Sequence, residues 1–127
     1  MGLMSGTSMD GVDISIIKSD GHKKISFIFD KYFEYDSSLY KEIVTARDII
    51  LNANDLIKYS NQLDLLQRNI TLFHANIINQ ISSEFKQDID LIGFHGHTIF
   101  HNPDLKITKQ LGDGNLLSQL VKRTIVY

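Results

Sequence analysis

The chain has 127 residues, 43% of them hydrophobic, with a formal net charge of -2 and a pI of about 6.2. That balance suits one domain, residues 1–127, with a real core, and the absence of a basic run leaves no footprint for nucleic acid or an anionic membrane surface. There is no cysteine, hence no disulfide framework or thiolate metal site, and no apolar run approaches the ~18 residues of a membrane span. No signal peptide precedes the first motif, which reads as a cytoplasmic protein.

The first element is the most informative. Met1-Gly2-Leu3-Met4 is a short apolar start. It runs into Ser5-Gly6-Thr7-Ser8-Met9-Asp10-Gly11-Val12-Asp13, and apolar alternation follows from Val12 to Ile17. This is a strand, a tight turn and a second strand. Gly6 and Gly11 permit close backbone approach. Thr7 and Ser8 offer hydroxyls, and successive N–H groups of such a turn form an anion-binding nest. Asp10 and Asp13 would repel a phosphate unless a magnesium ion stood between them. The same residues also suit a plain hairpin with Asx turns. There is no Gly-x-x-x-x-Gly-Lys-Ser/Thr and no dinucleotide fingerprint.

Ser19-Asp20-Gly21-His22 is a turn, and Lys24 to Tyr35 a third strand that completes a meander. Asp36-Ser37-Ser38 caps a helix from about Leu39 to Leu51, and Asn52 to Asp55 breaks it. Leu56, Leu63, Leu66, Ile70, Phe73, Ile77, Ile81 and Phe85 then form a single apolar stripe of about eight helical turns. Its expected role is to cover the sheet, with a dimer seam as the alternative, and His74 is expected beside it as a solvated or capping residue. Leu91 to Phe94 reads as a short buried strand, which puts His95-Gly96-His97-Thr98 at its carboxyl end, where open α/β sheets bind ligands. Asn102-Pro103-Asp104 is a turn and Lys106 to Gln110 a return strand. Asp113, between two glycines, caps a helix from Asn115 to Lys122, and Thr124 to Tyr127 begins another strand.

The run Gly2 to Asp13 resembles the phosphate loop of the anhydro-N-acetylmuramic acid kinases. Ile92-Gly93-Phe94-His95-Gly96-His97-Thr98-Ile99-Phe100-His101-Asn102-Pro103 is similar to that family's IGxHGQTIxHxP segment, and Gln110-Leu111-Gly112-Asp113-Gly114 to its Q-[IL]-G-D-G segment. The resemblance extends along the whole chain. It implies an α/β fold of the ribonuclease H-like, actin-like ATPase type: an antiparallel meander plus parallel strands with covering helices, here one incomplete lobe of two. It also implies a cytoplasmic enzyme of peptidoglycan recycling. Such an enzyme uses ATP to open the 1,6-anhydro ring of the sugar and phosphorylate O6.

On that basis Gly6, Thr7, Ser8, Met9, Asp10, Gly11, Val12 and Asp13 would bind the nucleotide phosphates, with magnesium on Asp10 through water. His95, Gly96, His97, Thr98, Gln110 and Asp113 would line the sugar pocket. His97 stands where the family usually has glutamine. The family's general base, an aspartate, falls beyond Tyr127, as does the second lobe with its adenine pocket. Residues 1–127 are therefore expected to be catalytically incomplete alone, and to self-associate or to pair with a second lobe, since the edge at Val126 and Tyr127 is apolar. The alternative is a truncated remnant or binding module.

Two other sites are weighed. Strand alternation would place His95, His97 and His101 on one face, yet His95 and His101 are about 20 Å apart in an extended strand, too far to share a zinc ion. Ser8, His95 and Asp113 supply the residue types of a hydrolase triad, but no nucleophile elbow accompanies them.

Overall fold

Period-two alternation builds the first third of the molecule as a sheet. In the computed structural model, which describes residues 1–6, 8–85 and 88–127, β1 (Gly2–Ser5), β2 (Gly11–Ser19) and β3 (Ile25–Glu34) form an antiparallel meander. Val12, Ile14 and Ile16 are buried and alternate with exposed Asp13, Ser15 and Ile17, so one face of the meander carries the core. The β2–β3 turn is held by Asp20, whose carboxylate accepts from the N–H groups of His22, Lys23 and Lys24.

Helix α1 (Ser37–Ile49) starts where the Asp36 carboxylate accepts from Ser38 and Leu39. The expected eight-turn helix is instead two, α2 (Ala53–Lys58) and α3 (Ser60–Glu84). Asn52 and Asp55 form a capping box that opens α2, and the Tyr59 N–H returns to Asp55 to close it. No residue of α2 is fully buried, and Leu56 packs only partly against the core. The stripe does its work within α3: Leu63, Leu66, Ile70, Ile77, Ile78 and Ile81 are buried against the sheet and its neighbours, as core rather than as a dimer seam.

Strand β4 (Leu91–Asn102) is three times the expected length, so His95 to Thr98 lie within it and not at its carboxyl end. Gly96 explains the difference. Its φ is +69°, and a β-carbon there would stand 2.5 Å from the Leu111 carbonyl oxygen. Leu3 pairs with Phe94 but Ser5 with His97, so β4 carries one extra residue across from β1. This bulge lets the strand continue with its alternation reversed: Ile92 and Phe94 are buried before it, His97 and Ile99 after it.

β5 (Ile107–Leu111) returns antiparallel to β4, α4 (Gly114–Val121) follows its Asp113 cap, and β6 (Thr124–Val126) pairs parallel with the start of β4. The sheet order is β3-β2-β1-β4-β5, with β6 also on β4. A meander joined to parallel strands, with α1, α3 and α4 packed as covering helices, is the mixed α/β arrangement of an actin-like ATPase lobe. The other sheet face exposes Met4, Ile17, Phe27, Tyr32, Leu91 and Val126.

Candidate functional site

The register brings the chemistry-bearing segments together. Ser5, His97 and Leu111 lie in line across β1, β4 and β5. β1 ends at Ser5 and enters the loop to Gly11, while β5 ends at Leu111 and enters Gly112-Asp113. β1 runs parallel and β5 antiparallel to β4, so the two loops leave this line from opposite directions.

The first loop is a turn closed by the Met9 N–H donating to the Gly6 carbonyl at 3.1 Å. Met9 takes a left-handed φ of 61° and buries its side chain in the core, anchoring the loop from below. Ser8 donates its hydroxyl to the Asp10 carboxylate, and the Tyr32 ring lies close by, against Gly11. The Ser8 bond is the main cause that holds the Asp10 carboxyl below the usual carboxylate range. Gly11 makes room for this: a β-carbon there would sit 2.2 Å from the Phe33 oxygen and 2.7 Å from the Tyr32 ring. Asp13 lies opposite Tyr32 in the β2–β3 register, on the same open face as that ring. The donor set, an exposed ionised carboxylate beside a tight turn with a second carboxylate nearby, has the hard-oxygen chemistry that magnesium takes. Thr7 lies outside the described residues.

Both ends of this loop are tied to the core. The Tyr35 N–H donates to the Asp10 carbonyl at 2.8 Å, while the Tyr35 hydroxyl bonds the Ser5 hydroxyl at 2.7 Å. Ser5 Oγ also lies 2.6 Å from His97 Nδ1. Ser5, Tyr35 and His97 are all buried.

The expected sugar-side residues divide between two environments. His95 is exposed on the open face, with Nε2 2.8 Å from Gln110 Nε2. His97 is 1% exposed on the helix side, and burial, with His95 adding, pushes its pKa down. The three histidines thus do not share a face: the Gly96 bulge turns His97 away from His95, and His101 bonds Thr108 at the far end of β4. Among the described residues no group of three metal-ligating side chains converges. Thr98 is half-buried and pairs in register with Gln110. Asp113 accepts from the Leu116 N–H as the α4 cap, and its own N–H donates to Thr71 Oγ1 at 3.0 Å. Ser8, His95 and Asp113 are each bonded to a different partner and form no triad.

Four residues have roles that the sequence pattern hides or misplaces. Ser5, Tyr32 and Tyr35 brace the loop, yet each reads in sequence as an ordinary strand residue. His74, expected to be solvated or capping, is fully buried and donates from Nδ1 to the Ile70 carbonyl at 2.8 Å. Its spacing held the signal: it falls four residues after Ile70 and three before Ile77, on the stripe itself.

A profile of the family described as anhydro-N-acetylmuramic acid kinase matches residues 1–127. The chain is 56% identical over 127 residues to the anhydro-N-acetylmuramic acid kinase of Pelagibacter ubique, all of this chain and 34% of that protein. It is 37% identical over 134 residues to that of Agrobacterium fabrum, covering 35% of it, and 36% identical to that of Brucella abortus, again covering 35%. The chain spans about a third of the length of the curated relatives it matches.

Proposed function

The chain belongs to the anhydro-N-acetylmuramic acid kinase family, and from that premise we propose that residues 1–127 supply the phosphate loop and part of the sugar site of an ATP-dependent sugar kinase. The observation that carries this reading is the loop Gly6 to Gly11. It is short and braced at both ends, and it presents an ionised Asp10 at the surface. Gly6, Met9, Gly11 and Val12 shape the turn, and Thr7 and Ser8 would offer N–H groups to phosphate oxygens, the Ser8 hydroxyl being committed to Asp10. Asp10 would hold magnesium, through water, with Asp13 beside it. The ion, when bound, neutralises charge on the phosphates, because phosphoryl transfer depends on positioning and charge more than on covalent chemistry.

The reaction class is phosphoryl transfer to the 6-oxygen of 1,6-anhydro-N-acetylmuramic acid. Water adds at the anomeric carbon and gives its proton to a base, the bond from that carbon to O6 breaks, and O6 takes the γ-phosphoryl group of ATP as ADP leaves. His95 and Gln110, joined on the exposed face, are the groups best placed to meet sugar hydroxyls. Gly96, Thr98 and Asp113 support them through the bulge, the β5 register and the α4 cap. His97 lies in the core and bears on the site through its bond to Ser5. Residues 1–127 supply binding groups, and no base is assigned among them. Self-association, or pairing with a second lobe, would cover the exposed apolar face of the sheet. No helix among the described residues is long and apolar enough to cross a membrane, and a cytoplasmic setting follows from the family reading.

Titration of the purified protein with Mg-ATP tests this. Asp10→Asn removes the charge but keeps the shape, and should weaken Mg-ATP binding by about ten-fold or more, the scale of one charge-assisted contact. Unchanged affinity would remove Asp10 from the site.

A further inference from the structure

Two hydroxyls and two imidazoles lie in the core directly beneath the loop. Tyr35 Oη bonds Ser5 Oγ, Ser5 Oγ bonds His97 Nδ1, and the ε nitrogens of both His97 and His74 are buried without a partner among the described residues. Phe73, Phe94 and Tyr35 pack edge-on around the two rings.

Hydrogen counting gives this group a direction. A carbonyl only accepts, so His74 carries its hydrogen on Nδ1, facing Ile70, and its Nε2 is a bare acceptor. Tyr35 and Ser5 each own one hydroxyl hydrogen. If His97 held its hydrogen on Nδ1, three hydrogens would crowd the two Tyr35–Ser5–His97 contacts, and one buried O–H would have no acceptor. If His97 holds it on Nε2, every hydrogen in those contacts is placed: Tyr35 donates to Ser5, and Ser5 donates to His97 Nδ1. That tautomer leaves a donor at His97 Nε2 and an acceptor at His74 Nε2, which are complementary in kind.

We propose that Tyr35 and His97 are positioning residues for the phosphate loop, acting through one directed chain, Tyr35 O–H to Ser5 O–H to His97 Nδ1. Tyr35 grips both ends of the loop, Ser5 by its hydroxyl and Asp10 by its backbone N–H. His97 ties the same Ser5 to β4 one residue beyond the Gly96 bulge, so the phosphate side and the sugar side share one buried joint. This rests on the phosphate-loop reading above.

The test has two independent arms in the purified protein. The first reads tautomers by two-bond proton–nitrogen correlation of labelled histidine. His97 should be the Nε2–H form and His74 the Nδ1–H form, and an Nδ1–H His97 overturns the chain whether or not nucleotide binds. The second reads ligand affinity. Tyr35→Phe keeps the ring and removes one hydroxyl, and should weaken Mg-ATP binding about five-fold, one buried hydrogen bond's worth, with sugar affinity unchanged. His97→Leu should show a similar loss. His97→Gln, which offers one acceptor and one donor, should recover at least half of it. If both variants only lower thermal stability and Mg-ATP affinity stays put, the network is structural and the proposal falls. No Mg-ATP binding by the unaltered protein would overturn the phosphate reading itself, and with it the positioning role.

Discussion

His74 is fully buried, hydrogen-bonded at Nδ1 to a carbonyl, and packed edge-on against Phe73 and Phe94. Burial pushes its pKa down to about 4, against the opposing effect of the Ile70 carbonyl, with the neighbouring His97 adding a smaller push downward. In the unfolded chain it titrates near 6.5, so at intermediate pH the unfolded state binds the extra proton. Stability is therefore fully present above pH 6.5 and declines as pH falls toward about 4. The His74 contribution to that decline is about 3 kcal/mol, because each tenfold change in proton affinity is worth about 1.4 kcal/mol. His97, also pushed down by burial, adds in the same direction. Urea denaturation between pH 7 and 4 should show this slope, and His74→Phe, apolar and similar in size, should flatten it. A wild-type stability that does not change over the window would contradict a neutral buried His74. At the same scale, the Ser8 hydroxyl holds the exposed Asp10 carboxyl below the usual carboxylate range.

At the scale of elements, two glycines decide where the loop and the sugar-side residues sit. Gly11 starts β2 beneath the Tyr32 ring, and Gly96 puts the extra residue into β4. Gly11→Ala would drive a methyl group to 2.2 Å from a backbone oxygen of β3. It should cost about 1–3 kcal/mol of stability, the range for overpacking, and should also part Tyr32 from Asp10. Chemical denaturation reads the first effect, and the second appears as weaker Mg-ATP binding. These glycines also mark what was legible. The meander, the Asp36 and Asp113 caps and the α3 stripe follow from local periodicity and capping chemistry, and all lie where that chemistry puts them, within a few residues. The reach of β4 was hidden, because a single bulge reverses the alternation and makes a continuous strand look finished at Phe94. The break at Tyr59 was hidden for a similar reason: Leu56 has the spacing of the stripe, yet it is only partly buried and no α2 residue is fully so.

The whole molecule is a sheet with one face closed by helices and one face open. Three of its segments, distant in sequence, meet on one line: Ser5, His97 and Leu111. The motifs named the segments, but only the register shows that His97 faces the core and His95 the open side, because that difference depends on pairing between β1 and β4. The family assignment was legible from the motifs themselves, and the profile match over residues 1–127 agrees with it. The bracing of the loop by Tyr35 was not, since no spacing in the sequence links Ser5 to a tyrosine 30 residues away. Every functional role proposed for these residues depends on nucleotide phosphate binding at the loop from Gly6 to Gly11. Titration of Mg-ATP into nitrogen-15-labelled protein, read amide by amide, decides that question. Saturable shifts are expected at Gly6, Ser8, Asp10 and Gly11, with weaker ones at Ser5 and His97 and none along α2. Shifts confined to other surfaces, such as the cleft between α1 and α3 around Glu42 and Asn69, or no shift at all, would show that phosphate does not bind there.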